Sequence, residues 1–138
     1  HLRGGNAEAL RPVLERLAEL EDDSPSVRKK LAQLAMQRAD FATAQRWAHR
    51  ALQIDITDAG THAMLAEALA AQKRPADAAE AYQSAVRLEP GQLDWQFALA
   101  RALADAGQPQ AAADVLRSLL KRAPEYPQAA DYLKRLMP

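Results

Sequence analysis

The sequence predicts an all-α fold, an α-solenoid of antiparallel helical hairpins stacked in a right-handed superhelix. Three observations carry this prediction. Strong helix formers dominate the 138 residues, which are 49% hydrophobic but only 5% aromatic. Apolar residues recur at three- and four-residue spacing, which is the spacing of one helix face. The pattern also repeats every 34 residues, so that equivalent positions hold Ala44, Ala78 and Ala112.

Two helical segments recur in each unit of this period. The second segments align without a gap over 42–57, 76–91 and 110–125. In the first segments, one column holds Leu31, Leu65 and Leu99, and the next holds Ala32, Ala66 and Ala100. Columns of Ala are typical of helices that approach closely, because larger side chains would push the axes apart. A single hairpin cannot bury its apolar stripe alone, so we expect neighbouring hairpins to stack.

The first predicted element is a helix over residues 6–21, whose apolar face carries Leu10, Val13, Leu14, Leu17 and Leu20. It has the pattern of a second helix, so we interpret it as half of a preceding unit. Pro12 lies near its start, which predicts a late beginning or a bend. Ser24 is predicted to cap the next helix, with Pro25 at its first position.

Three full units follow, and they are assigned to residues 25–58, 59–92 and 93–126. Turn residues separate the two helices within each unit at 38–40, 73–75 and 107–109, and separate the units at 56–58, 90–91 and 124–125. These segments predict seven helices. Residues 127–138 are a candidate capping helix, because Tyr132, Leu133 and Leu136 could cover the last unit. The whole chain, 1–138, is thus predicted to form a single domain of about three and a half repeats.

These residues resemble the tetratricopeptide repeat (TPR) family. The resemblance rests on the period, on the Ala78, Tyr82 and Ala85 pattern, and on the closing sequence VRLEP at 86–90. The first helices depart from the family, because it favours Trp at the positions that here hold Arg28, His62 and Gln96. It also favours Gly at the positions of Ala32, Ala66 and Ala100. The resemblance covers about residues 25–124 and implies a protein-binding module.

Composition disfavours or excludes several classes of function. Eighteen basic residues balance eighteen acidic ones, so no net field attracts nucleic acid or an anionic membrane. The absence of Cys excludes disulfides, thiolate zinc sites and thiol nucleophiles. No apolar run approaches the roughly 20 residues that span a bilayer. We find no metal-binding His spacing, phosphate loop or nucleophile elbow, and therefore expect no catalytic residue, cofactor or metal, and no enzyme.

The aromatic residues are interpreted mainly as core. Trp95 shares a face with Leu99 and Leu103, so we expect it to pack against the preceding hairpin, and Trp47 is expected to pack beside the Ala48 column. Phe97 is two residues from Trp95 and from Leu99, which turns it away from that face. Phe97 is therefore the candidate for an exposed apolar anchor.

The resemblance implies that the first helix of each unit lines a concave groove. The positions that would face this groove, and form a protein-binding site, are Lys29, Gln33, Met36, Gln37, Glu67, Phe97, Arg101 and Asp105, over a floor of Ala63, Ala70, Ala71 and Ala104. The family's carboxylate clamp for chaperone tails is incomplete here. Lys29 matches it, but the other clamp positions hold Gln33, Met64, Asp94 and Ala98. A chaperone-tail adaptor is therefore not expected.

The favoured hypothesis is a scaffold whose groove binds a peptide segment or a helix of a partner protein. A second hypothesis is a regulatory or assembly domain of a larger enzyme or of a secretion or export component, which the initial half unit and the missing initiator Met favour. A third is an RNA-binding helical repeat, which would need basic inner surfaces that this composition does not supply. The Ala- and Arg-rich composition indicates a bacterial source, and either cytoplasm or periplasm is compatible with it.

Overall fold

The computed structural model describes residues 2–20 and 24–138, and these residues form helices and connecting turns without a strand. Its helices are α1 (Leu2–Leu20), α2 (Pro25–Gln37), α3 (Phe41–Ile54), α4 (Ala59–Ala71), α5 (Pro75–Leu88), α6 (Leu93–Asp105), α7 (Pro109–Arg122) and α8 (Ala129–Leu136). Each helix packs against the next, and α2 also contacts α4 across a unit boundary. The all-α prediction is confirmed, and α8 adds the capping helix to the seven helices expected.

The three hairpin turns share one backbone conformation. Ala39, Lys73 and Gly107, each separated by one repeat period, have positive φ angles of 58°, 62° and 82°. In the first turn, the amide of Asp40 donates a hydrogen bond to the carbonyl of Ala35 at 2.9 Å, and equivalent bonds close the other two turns. This left-handed cap satisfies carbonyls at the end of the first helix. Of the three residues, only Gly107 adopts it without a Cβ atom.

Side-chain caps begin two of the helices in the described ranges. The Asp40 carboxylate accepts a hydrogen bond from the Thr43 amide at 3.4 Å, and the Asp58 carboxylate accepts one from the Thr61 amide at 3.1 Å. The predicted N-cap position of Ser24, with Pro25 at the first position of the helix, is confirmed. The Ser24 side chain makes no capping hydrogen bond, and its hydroxyl lies 3.4 Å from that of Ser26.

Helix α1 is longer than the sequence predicted and does not begin late. It begins at Leu2 rather than at residue 6, and it runs through Pro12 to Leu20, while residue 21 lies outside the described residues. Pro12 removes one backbone donor without ending the helix. The apolar face of α1 is incompletely covered, because Leu10 and Val13 are 39% and 54% exposed. Its main packing partner is α2.

The predicted columns of small and apolar residues form the core. No surface is exposed on Ala44, Ala78 or Ala112, and the Leu31, Leu65 and Leu99 column is buried as well. At the end of the solenoid, Leu116 and Leu119 of α7 are fully buried. They pack in one cluster with the α8 residues Tyr132, Leu133 and Leu136. The end of the last hairpin is therefore covered by α8.

The column in which the TPR family favours Trp is polar here, and the structure gives a reason. Arg28, His62 and Gln96 are buried, each with 8% of its surface exposed. A nitrogen of each side chain lies within hydrogen-bond distance of a backbone carbonyl oxygen earlier in the chain than the helix that carries the side chain. The distances are 2.9 Å from Arg28 to Ala18, 2.8 Å from His62 to Ile56, and 3.3 Å from Gln96 to Pro90. These carbonyl groups, one at the end of α1 and two in turns between units, need a partner when they are shielded from water. These side chains therefore hold each unit to the chain before it.

Candidate functional site

Helices α2, α4, α6 and α8 form one face of the solenoid, which we call the inner face. Three cavities lie along it. The first cavity, of about 670 Å³, lies mainly between α2, α4 and α6. The second, of about 550 Å³, lies mainly between α5 and α6 and reaches the end of α4. The third, of about 580 Å³, lies between α6 and α8. Tyr82 and Ala98 line both the first and the second, while Arg101 and Asp105 line both the second and the third. The three cavities are therefore one continuous depression, which we call the groove.

All eight residues of the predicted binding site line this groove. The first cavity holds Lys29, Gln33, Met36, Gln37 and Glu67, and the third holds Phe97, Arg101 and Asp105. Of the predicted floor, Ala63 and Ala70 also line it. Ala104 instead packs into the cluster beneath α8, and Ala71 lines none of the three cavities. The positions carried over from the TPR family thus lie on one surface.

Phe97 is not the exposed anchor that the sequence indicated. Its side chain is half-buried, and its ring centroid lies 5.5 Å from that of Tyr126 and 5.8 Å from that of Tyr132. The rotation of Phe97 away from the Trp95 face was inferred correctly. That rotation directs Phe97 towards α8 and the loop before it, whose tyrosines cover much of the ring. Only the remaining surface of Phe97 is available to the third cavity.

Sequence reasoning missed several groove residues with large side chains, and three of them line the first cavity. Trp95 was expected to pack in the core, but it is half-buried and lines the first cavity together with Met64 and Tyr82. A signal was present in the spacing. Counting back from Arg101 in steps of three residues gives Ala98 and then Trp95, which places all three near one helix face. Trp95 replaces Phe97 as the best-placed aromatic residue for contact with a partner.

Lys29 is held by an ion pair at the edge of the first cavity. Its Nζ atom lies 3.0 and 3.2 Å from the two carboxylate oxygens of Asp58. Burial raises the pKa of Asp58, but the hydrogen bonds from Lys29 and from the Thr61 amide, with the charge of Lys29, outweigh burial. The net pKa therefore lies below the ordinary value of 3.8. The pair links α2 to the start of α4 and neutralises the Lys29 charge.

Glu67 and Arg101, two charged residues of the groove without ion pairs in the described part of the chain, both act on the pKa of Tyr82. Burial raises the pKa of Tyr82, the Glu67 carboxylate raises it further, and the Arg101 guanidinium opposes both. The hydroxyl therefore stays protonated at neutral pH and can donate a hydrogen bond. Within the described residues, neither Glu67 nor Arg101 forms an ion pair. The centre of the groove thus offers an anionic acceptor, a cationic donor and a phenol to a partner.

A hydrogen bond fixes the loop after α7 to the start of α6, close to Trp95. The Tyr126 hydroxyl donates to Oδ1 of Asp94, which lines the first cavity. Burial, this hydrogen bond and the Asp94 charge raise the pKa of Tyr126 to about 12. Asp94 stands where the family's clamp has a Lys. The local charge is therefore opposite to that of the clamp.

The opposite face carries a smaller cavity of about 450 Å³ between α3 and α5, with α4 at its base. His49, Gln53 and Ile56 are among its lining residues, and Ile56 is 69% exposed. We call this the outer cavity, and it is the competing surface for a partner.

Across residues 2–20 and 24–138, we find no group of three or more His, Cys, Asp or Glu side chains arranged to hold a metal ion. No helix in those ranges has both the length and the apolar character needed to cross a membrane.

The chain is similar to known proteins in sequence pattern and in fold. A family model described as tetratricopeptide repeat matches residues 69–136. A crystal structure of MamA superimposes with a TM-score of 0.88 at 16% identity, covering 97% of this chain and 78% of MamA. YrrB, described as a TPR protein with an unusual peptide-binding site, gives 0.84 at 17% identity, covering 92% of this chain and 66% of YrrB.

The second TPR domain of human RPAP3, solved in complex with an HSP70 peptide, gives a TM-score of 0.75 at 17% identity, covering 83% of this chain and 99% of that domain. No curated protein sequence matches the chain. At these identities, the structural likenesses establish the fold alone.

Proposed function

We propose, for a chain whose residues 69–136 belong to the tetratricopeptide repeat family, that the groove binds a peptide segment or a helix of a partner protein. The observation that carries this proposal is the continuity of the three cavities. Shared lining residues on α5 and α6 join them, and the lining as a whole extends from α2 to α8. An elongated ligand can therefore contact several helices at once, which is how a helix or extended segment lies in a groove.

The lining of the first cavity supports contact with an apolar side chain of the partner. Met36, Met64 and Trp95 come from three different helices and line the same cavity. Met side chains adapt to varied shapes, and Trp provides a large, rigid surface at binding sites. Gln33 and Gln37 lie beside them and can bond to the polar backbone of a bound segment. This arrangement combines apolar anchoring with polar orientation.

Two of the similar structures are described as peptide-binding, namely the RPAP3 domain in its HSP70 peptide complex and YrrB. They support peptide binding as the mode of interaction. The ligand itself is expected to differ from a chaperone tail. Lys29, the one matching clamp residue, is already paired with Asp58, and Asp94 presents the opposite charge to the clamp Lys.

The test begins with selection from a displayed library of random peptides on the immobilised chain, followed by affinity measurement of the strongest peptide. Trp95→Ala is expected to weaken binding by about 1–3 kcal/mol, which is the effect of truncating an aromatic anchor. His49→Ala, in the outer cavity, is the matched control and should leave the affinity unchanged. Loss of binding in the control with full affinity in Trp95→Ala would reject the groove. Circular dichroism of both variants verifies that the fold is retained.

A further inference from the structure

One row of equivalent positions runs along the groove and changes charge from end to end. Its members follow one another by a repeat period and lie on α2, α4, α6 and α8: Gln33, Glu67, Arg101 and Arg135. All four line the groove. The row is therefore neutral, then acidic, and then twice basic. A protein built from identical repeats would carry the same charge at all four positions.

The third cavity contains the two basic members of the row. Arg101 enters it from α6 and Arg135 from α8, beside Phe97, Tyr132 and Asp105. In the described part of the chain, neither arginine forms an ion pair with any carboxylate, Asp105 included. The cavity lining therefore carries two positive charges against one negative charge. It has a net positive charge, and no carboxylate among the described residues forms an ion pair with its guanidinium groups.

The Tyr132 ring organises these charges. The Arg135 guanidinium lies over the ring, 5.5 Å from its centroid. Burial raises the pKa of Tyr132, Asp105 raises it further, and the charges of Arg101 and Arg135 oppose them. All three charged groups are thus close enough to the phenol to act on it. Tyrosine is protonated at neutral pH at its ordinary pKa of 10.0, and the net shift here is upward, so the hydroxyl is a third donor beside the two arginines.

We propose that the third cavity binds a carboxylate side chain of an acidic partner segment, held by Arg101 and Arg135. Arginine matches a carboxylate because its planar group can donate two parallel hydrogen bonds. The aromatic rings of Phe97 and Tyr132 supply an apolar wall for a neighbouring side chain of the ligand. The first cavity repels the same carboxylate, because it contains Glu67 and Asp94 while Lys29 is neutralised. The acidic end of the segment therefore lies towards α8.

This inference rests on the proposed function, and the same peptide selection separates the two. The selected peptides are expected to be enriched in Asp and Glu over the unselected library. In the strongest peptide, replacing the bound acidic residue by its amide should weaken binding by about 10-fold, the effect of losing a hydrogen bond between charged groups. Arg101→Gln and Arg135→Gln should each weaken binding of the acidic peptide to a similar extent.

The control is Arg87→Gln, because Arg87 is an exposed arginine on α5 that lines none of the three cavities. It should leave binding unchanged. In the Arg101→Gln, Arg135→Gln double variant, the acidic peptide and its amide should bind equally, a result that a general loss of structure would not produce. The single variants give the same comparison if the double variant does not fold.

The outcomes distinguish the two proposals. Failure to select any peptide above the blank surface rejects the proposed function and this inference with it. Selection of peptides without acidic enrichment, or an unchanged preference for the acidic peptide in the arginine variants, overturns the carboxylate cavity and leaves peptide binding intact.

Discussion

Replacing Phe97 by Ala tests how α8 is attached to the last hairpin. The substitution removes a ring that contacts Tyr126 and Tyr132 and packs in the same cluster as Leu116 and Leu119. Emptying a fully buried Phe site costs about 3–5 kcal/mol. Phe97 keeps some exposed surface, so we reduce that value by about a third, which gives an expected loss of about 2–3 kcal/mol.

Urea unfolding, followed by circular dichroism and extrapolated to water, measures this loss. Trp95→Ala is the matched comparison, since Trp95 is also half-buried but lines the open first cavity. We expect it to lose clearly less stability than Phe97→Ala. A loss below about half a kcal/mol for Phe97→Ala, equal to that of a surface substitution, would show that α8 does not cover this ring.

Two further predictions concern the hairpin turns and the ion pair at the groove edge. Ala39→Gly should stabilise the chain by about 0.5–1 kcal/mol and Gly107→Ala should destabilise it by a similar amount, because both residues have positive φ angles, which L side chains disfavour. Urea unfolding of both variants checks the opposite signs, and equal signs would contradict the shared turn. For Asp58, whose folded pKa is lowered, the stabilising effect of the charge is full above the ordinary pKa of 3.8 and is lost as the pH falls through the folded value. Asp58→Asn keeps a capping side chain but cannot form the ion pair with Lys29. Its stability difference from the wild type should therefore disappear as the pH falls through the folded pKa of Asp58, and a difference that does not vary with pH would contradict the charge effect.

The periodic part of the fold could be predicted because each unit repeats the same physical requirement. Ala44, Ala78 and Ala112 are fully buried because every hairpin needs a small residue where two helices approach. The same regularity placed the groove residues, since Glu67 and Arg101 occupy equivalent positions on successive inner helices. The period of the sequence therefore predicts which residues pack between units.

The features that failed or were missed depend on contacts that the period does not encode. Coverage of Phe97 comes partly from Tyr126, in a loop where the repeat pattern gives way to a different sequence. The neutralisation of Lys29 depends on Asp58, 29 residues further along the chain. Neither partner belongs to the same column as the residue it contacts. The side-chain contacts at the groove depend on individual residues that are distant in the sequence, so they are visible only in the structure.

Binding in the groove is the central claim, and mapping a bound peptide onto the chain tests it most directly. The measurement is a titration of the isotope-labelled chain with the strongest selected peptide, followed by amide chemical-shift changes in NMR spectra. We expect the largest changes on α2, α4, α6 and α8, around Trp95, Glu67 and Arg101. Changes concentrated instead on α3 and α5, around His49 and Ile56 in the outer cavity, would contradict it.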